Sequence, residues 1–189
     1  MKLLAMKLFM LLLGCTPPGR NTEQHDIFFG IAEKLKDLIP EIKAYWPEAN
    51  GKIHIDAWRQ VNYVDGRKVQ IIERSKNISD YEKDRLFFIN LGGYKQNEFE
   101  EFHYKMLVAC KNKSVAIKQA KASAFYKHVG YKGAESHIDD KYGVDVDDIF
   151  QIEDILSEQI KTRYGILLSA ATGIAEDEVH LGYFRLDKL

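Results

Sequence analysis

Two short patterns in this chain set a histidine beside a carboxylate at a spacing that can do chemistry. Glu-x-His occurs at Glu23 and His25 and again at Glu101 and His103. His-x-Asp occurs at His54 and Asp56 and again at His137 and Asp139. On an extended strand, residues i and i+2 share a face about 6.5–7 Å apart, so each pair points into one space. Two imidazoles with two carboxylates suit a divalent metal such as zinc, iron or manganese. The same groups suit general base catalysis, the carboxylate orienting the imidazole. The third use is structural, since a carboxylate beside a histidine satisfies a polar pair on a half-buried strand. From sequence we prefer this structural use. No nucleophile accompanies the sets, because Cys15 and Cys110 fall opposite Gly93 and Ala32 when the two halves are aligned.

The elements that position these residues come in two copies. KLFMLLLGC (7–15) matches RLFFINLGG (85–93) at an offset of 78, with Leu8, Phe9, Leu13 and Gly14 recurring as Leu86, Phe87, Leu91 and Gly92. The Glu-x-His pairs keep that offset; KAYW (43–46) meets SAFY (123–126) at 80, and the His-Ile-Asp triplets match at 83. Ordered matches of this kind point to an internal duplication of about 70–80 residues. Within a copy, the apolar run 7–13 suits a strand buried on both faces. HDIFFGIA (25–32) suits a second strand. Leu35, Leu38, Ile39, Ile42, Tyr45 and Trp46 then fall on one helical face, which Pro40 should kink or restart. In the second copy Ser114 is the expected N-cap, with Ile117, Ala120, Ala124 and Phe125 facing inward. KIHIDAWRQV (52–61) alternates, so His54, Asp56 and Trp58 should share one face and Ile53, Ile55 and Ala57 the other. Asp65-Gly66 signals a hairpin into a further strand, RKVQIIE.

The opening MKLLAMKLFMLLLGC resembles a lipoprotein export signal in composition. Lys7 breaks the apolar run, however, and Leu13 stands where a smaller residue is usual. The twin segment RLFFINLGG lies mid-chain, where no export signal acts. We therefore expect residues 7–13 to be a strand of the fold and the protein to be cytoplasmic. The alternative is an exported lipoprotein anchored through Cys15. With Lys+Arg at 27 and Asp+Glu at 28, the net charge of −1 gives no global attraction to nucleic acid or an anionic membrane, and neither is expected as a partner. The absence of any C-x-x-C or cysteine framework fits a reducing compartment.

Three other motifs carry less. GCTPPGRN (14–21) is not a phosphate loop, since Arg20-Asn21 replaces Lys-Ser/Thr and two prolines remove N–H donors. The lysine-rich stretch 111–128 suits a solvated helix face rather than a nucleic-acid patch. The acidic run 145–154 lacks the order and glycine of a calcium loop. His180-Leu-Gly-Tyr183 has no counterpart in the other copy.

A strand ending in LGG or LGC, then Glu-x-His, a helix and His-Ile-Asp, in two copies over about residues 6–156, resembles the bacterial family called domain of unknown function 1543. The resemblance implies one or two copies of this module and no established activity, substrate or cofactor. Cys15 departs from the glycine pair of that pattern, which weakens any role needing close backbone approach there. The expected fold is α+β, with two pseudo-symmetric β-β-α-β-β repeats, each a small sheet with one helix, plus two C-terminal strands. The expected boundaries are repeat one at 6–73, a linker at 74–84, repeat two at 85–156 and an extension at 157–189. Units this small bury little surface alone, so self-association is expected. The expected function is a non-catalytic binding or interaction module with no cofactor. The alternative is a metal-dependent, hydrolase-like enzyme using the repeated sets and a divalent ion.

Overall fold

A computed structural model of the protein describes residues 6–74, 84–123, 137–138, 149–171 and 176–189. It is an α+β fold of two compact units, Met1–Lys76 with Leu156–Leu189, and Asn77–Ile155. The stretch expected as a separate C-terminal extension thus belongs to the first unit. Most of the expected linker (75–83), together with Ala124, Phe125 and Asp139, lies outside the described residues.

In the first unit β1 (Lys7–Cys15) runs between β2 (Gln24–Ala32) and β3 (His54–Gln60), antiparallel to both. An almost unbroken apolar strand belongs in the middle of a sheet, where both faces are covered. Phe9, Leu11, Leu13 and Cys15 pack on one face with Phe28, Leu38, Ile42, Ile53 and Ile55. The apolar helical face becomes a 3₁₀ turn at Leu35–Leu38 followed by α1 (Ile39–Tyr45). Pro40 sits in the first turn of α1, where its missing N–H costs nothing, so it restarts the helix. The turn lies close over β2 at Gly30, where a Cβ would come 2.6 Å from Leu38 Cδ2.

The hairpin from β4 (Tyr63–Val64) to β5 (Arg67–Glu73) turns on Asp65 (φ 48°) and Gly66 (φ 72°), both left-handed as the favoured hairpin turn requires. β5 does not return to the first sheet. It pairs with β10 (Tyr164–Ala170) in a second sheet of order β10-β5-β4. β11 (His180–Arg185) pairs with β3 and completes the first sheet as β11-β3-β1-β2. The two C-terminal strands therefore join different sheets. Between them, Asp177 accepts hydrogen bonds from the Asn62 backbone N–H (2.9 Å) and side-chain amide (2.9 Å).

One register break changes the face assignment expected for β3. Ile55 lies opposite Leu13 and Ala57 opposite Leu12, so Asp56 has no partner on β1. Asp56 is a β-bulge, and it reverses the alternation beyond it. Trp58 accordingly leaves the His54 face and packs against the apolar cluster, its ring 6.3 Å from that of Phe9.

In the second unit β6 (Arg85–Tyr94) pairs with β7 (Glu101–Cys110) on one side and with β8 (His137–Ile138) and β9 (Ile149–Gln151) on the other. α2 (Lys113–Ala122) buries Ala116 and Ala120 against Phe87, Ile89, Leu91 and Val108. Its N-cap is Asn112, whose side chain accepts from the Val115 N–H at 3.0 Å, and not Ser114. Asn and Ser cap about equally well, so position relative to the preceding strand decides. Lys113, Lys118 and Lys121 of this helix are solvent-exposed. α3 (Ile152–Ile155) closes the unit, and α4 (Glu158–Arg163) leads into β10 of the first.

The central glycines hold equivalent places within their sheets. Gly14 lies opposite His25 on one side and His54 on the other. Gly92 lies opposite His103 and His137. Among the described residues no helix is long and apolar enough to cross a membrane.

Candidate functional site

Directly opposed residues of antiparallel strands point to the same side of a sheet. His25 from β2 and His54 from β3 therefore flank Gly14 on the face away from the apolar cluster. Glu23, one residue before β2, shares the His25 face by the two-residue repeat. Asp56 reaches the same point from the bulge. All members of the first predicted set meet here.

The contacts form a ring in which each carboxylate touches both imidazoles. His54 Nε2 lies 3.0 Å from Glu23 Oε1 and 3.2 Å from Asp56 Oδ1. His25 Nε2 lies 3.3 Å from Asp56 Oδ2 and 3.6 Å from Glu23 Oε2. The set has a deep side and an open rim. The His54 side chain is 8% exposed and Asp56 25%, against 42% for Glu23 and 43% for His25. Short as these separations are, they do not satisfy the buried groups: among the described residues, His54 Nε2 and Asp56 Oδ2 have no hydrogen-bond partner. Both atoms hang over Gly14. A Cβ there would overlap Asp56 Oδ2 and stand 2.6 Å from His54 Nε2.

The glycine that permits close approach is thus Gly14, matched by Gly92 in the register of β6, and not the following position where Cys15 stands. Cys15 faces the apolar cluster and is 1% exposed. Burial pushes its thiol up, and the carboxylates of Glu23 and Glu48 add to the effect, so it is held protonated rather than as a nucleophilic thiolate.

Two aromatic contacts at this end of the sheet had no sequence signal. The Tyr183 ring lies 4.2 Å from the His54 ring, 30° from parallel. The His180 ring stacks on Trp58 at 3.9 Å. Both come from β11, which follows the bulge with its own register shift between Leu181 and Phe184. No spacing rule links residues 183 and 54, because the pairing is long-range.

The second predicted set is placed only in part. Glu101 opens β7 half-buried, His103 is exposed on the same strand, and His137 lies opposite Gly92 through the backbone register. Asp139 lies outside the described residues. Among the described residues, no group of three or more His, Cys, Asp or Glu side chains is arranged to hold a metal ion. In the first set the side chains touch one another.

Residues 20–71 match the family described as Domain of Unknown Function (DUF1543). The DUF1543 segment contains Glu23, His25, His54 and Asp56, and begins after β1 with its Gly14. The family expected from sequence is therefore found over this part of the first unit. The fold is similar to that of a protein Il1583 from Idiomarina loihiensis, whose crystal structure superposes with a TM-score of 0.59 at 21% identity. That likeness covers 96% of this chain and 97% of the other. No curated protein matches the chain.

Proposed function

We propose that this protein is a binding module whose ligand site is the Glu23–His25–His54–Asp56 cluster at the end of the first sheet. The observation that carries this is the pair of buried, unpartnered polar atoms, His54 Nε2 and Asp56 Oδ2, gathered over a glycine. Structural polar clusters close their hydrogen bonds internally, and each unsatisfied buried group costs about 1–3 kcal/mol. A site kept for a ligand accepts that cost in the empty state. The Cys15 thiol, held protonated and turned into the core, favours binding over covalent catalysis.

The matching registers around Gly14 and Gly92 support one module present twice, the second unit retaining the histidine positions. We place the protein in the cytoplasm. Supporting this, lipid attachment at Cys15 would require removing β1, the strand paired on both sides in the first sheet.

The test is the stability of ligand-free protein, dialysed against a chelator, at about pH 8. In a site built for a ligand, His54 Nε2 and Asp56 Oδ2 stay unsatisfied while the site is empty. The Glu23→Gln, Asp56→Asn double variant should then unfold in urea at an equal or higher midpoint, a gain of up to about 2 kcal/mol. A loss of about 2 kcal/mol or more would show that the cluster exists to hold the strands together.

A further inference from the structure

We infer that the ligand of this cluster is an organic cation: a guanidinium group on an aliphatic stem. The carboxylates of Glu23 and Asp56 bind the head, Tyr183 stacks on it, and the stem lies along an apolar row beside the cluster. This rests on the binding site proposed above and names its occupant.

The charge comes first. Among the described residues, neither Glu23 nor Asp56 pairs with a lysine or arginine; their ion-pair contacts are the histidines alone. Arg185 lies directly opposite His54 on β11, but its guanidinium is taken by Asp187, to which it donates at 3.0 and 2.8 Å. Glu48 adds negative charge at this end of the sheet, since it acts with Glu23 on the Cys15 thiol. The cluster is therefore acidic, and among the described residues no lysine or arginine balances it.

The placement of the acceptors selects the kind of cation. Each histidine contact runs to a different carboxylate oxygen: Oε1 and Oε2 of Glu23, Oδ1 and Oδ2 of Asp56. Oxygens dispersed in this way do not surround one centre, and the group is not arranged to hold a metal ion. They suit a ligand whose N–H donors are themselves spread out. A guanidinium presents five donors in a fixed planar fork that meets carboxylates two oxygens at a time, whereas an ammonium is a compact point charge.

The buried side fixes where the head goes. The His54 side chain is only 8% exposed, yet among the described residues its Nε2 has no hydrogen-bond partner, and neither does Asp56 Oδ2. His25 Nε2 lies 3.3 Å from Asp56 Oδ2 on the open side. His25 and Glu23 form the movable rim, and turning them outward uncovers Asp56 Oδ2 to a donor. Tyr183 is 69% exposed although its ring lies against that of His54, so ring surface remains on which a guanidinium stacks. The stem has its own place. Ile27, Leu12, Ala57 and Leu181 lie opposite one another across β2, β1, β3 and β11. Leu12 is two residues from Gly14, so this row shares the face of the cluster, one pleat further along. Its first three members are half-buried and Leu181 is 76% exposed. A part-exposed apolar row that ends at a cluster of acceptors fits a cation whose methylenes lie on apolar surface while its head stays among polar groups.

The experiment titrates the full chain with n-butylguanidinium chloride at constant pH, against matched sodium chloride, and follows the histidine ring resonances. We expect a saturable shift with a Kd of about 1 mM or below. Affinity should fall by about tenfold or more in Glu23→Gln and in Asp56→Asn. Methylguanidinium, which lacks the stem, and n-butylammonium, which lacks the fork, should each bind about fivefold or more weaker. Glu23 lies on the exposed rim, so Glu23→Gln keeps the far-ultraviolet circular dichroism of the parent and separates lost binding from lost folding. No saturable shift at about 20 mM probe would overturn the assignment, as would equal affinity in parent and both variants, or for n-butylammonium. N-acetyl-arginine N-methylamide then tells the source. Binding as tight as that of n-butylguanidinium supports an arginine side chain as ligand, and its failure to bind supports a free guanidino compound. If n-butylguanidinium fails while the Glu23→Gln, Asp56→Asn variant is still stabilised, the site stands and its occupant is not a guanidinium. If that variant is also destabilised, the cluster is structural.

Discussion

Gly14 is the residue on which the cluster turns. A methyl group at that position meets two polar side-chain atoms from β3, one of them on a nearly buried histidine. Gly14→Ala should therefore push His54 and Asp56 outward and cost about 1–3 kcal/mol, as overpacking does. Urea unfolding measures the cost, and the histidine ring resonances report the displacement. Unchanged stability with unchanged imidazole signals would mean that the space over Gly14 is not filled as described. Cys15 next to it is a contrasting case. Its side chain faces the apolar cluster, where a small thiol packs well. The same three-residue stretch thus serves the site at Gly14 and the core at Leu13 and Cys15.

At the scale of elements, the latch between β2 and α1 gives a pH-dependent prediction. The Tyr45 hydroxyl donates to Asp26 Oδ2 at 2.7 Å and lies 3.3 Å from the Ile27 carbonyl. Burial raises the Tyr45 pKa far above its ordinary value, and the hydrogen bond to Asp26 adds to it. An acid whose pKa is raised on folding keeps its proton in the native state while the unfolded chain loses it. The stabilisation is therefore complete below about pH 10 and is lost as the pH rises beyond that. Tyr45→Phe should lower stability by about 1 kcal/mol at neutral pH and flatten the decline above pH 10. An alkaline limb of equal steepness in parent and variant would contradict this.

The legibility of the elements follows the range of the forces that set them. β1 was readable because a strand buried on both faces needs an apolar residue at nearly every position. The Asp65-Gly66 turn was readable because its two left-handed residues are a local requirement. The Asp56 bulge was not readable. Nothing in KIHIDAWRQV marks an extra residue, and a period-two pattern assumes there is none. Hence His54 and Asp56 were assigned correctly to one face while Trp58 was not. The cap expected at Ser114 falls at Asn112 instead, because the end of β7 is not visible from composition.

At the scale of the whole molecule, the C-terminal segment Leu156–Leu189 cannot be treated as an appendage. β10 and β11 supply a partner to β5 and to β3, and Asp177 ties down the Asn62 turn. Removing residues 156–189 would bare two strand edges and take Leu186 and Phe184 away from the first core. We expect that truncated chain to lose cooperative unfolding, which differential scanning calorimetry would show. Asp177→Ala, a milder change, should cost about 1–3 kcal/mol, since the carboxylate accepts from two backbone N–H groups and one side chain. What sequence missed at this scale has a single cause. The contacts of Tyr183 with His54 and of His180 with Trp58 depend on which strand β11 joins, a choice made by tertiary packing.

The most direct measurement is the urea-unfolding midpoint of the ligand-free Glu23→Gln, Asp56→Asn variant against that of the parent. The account predicts an equal or higher midpoint, because His54 Nε2 and Asp56 Oδ2 are kept for a ligand rather than for the fold. A loss of about 2 kcal/mol or more would contradict it.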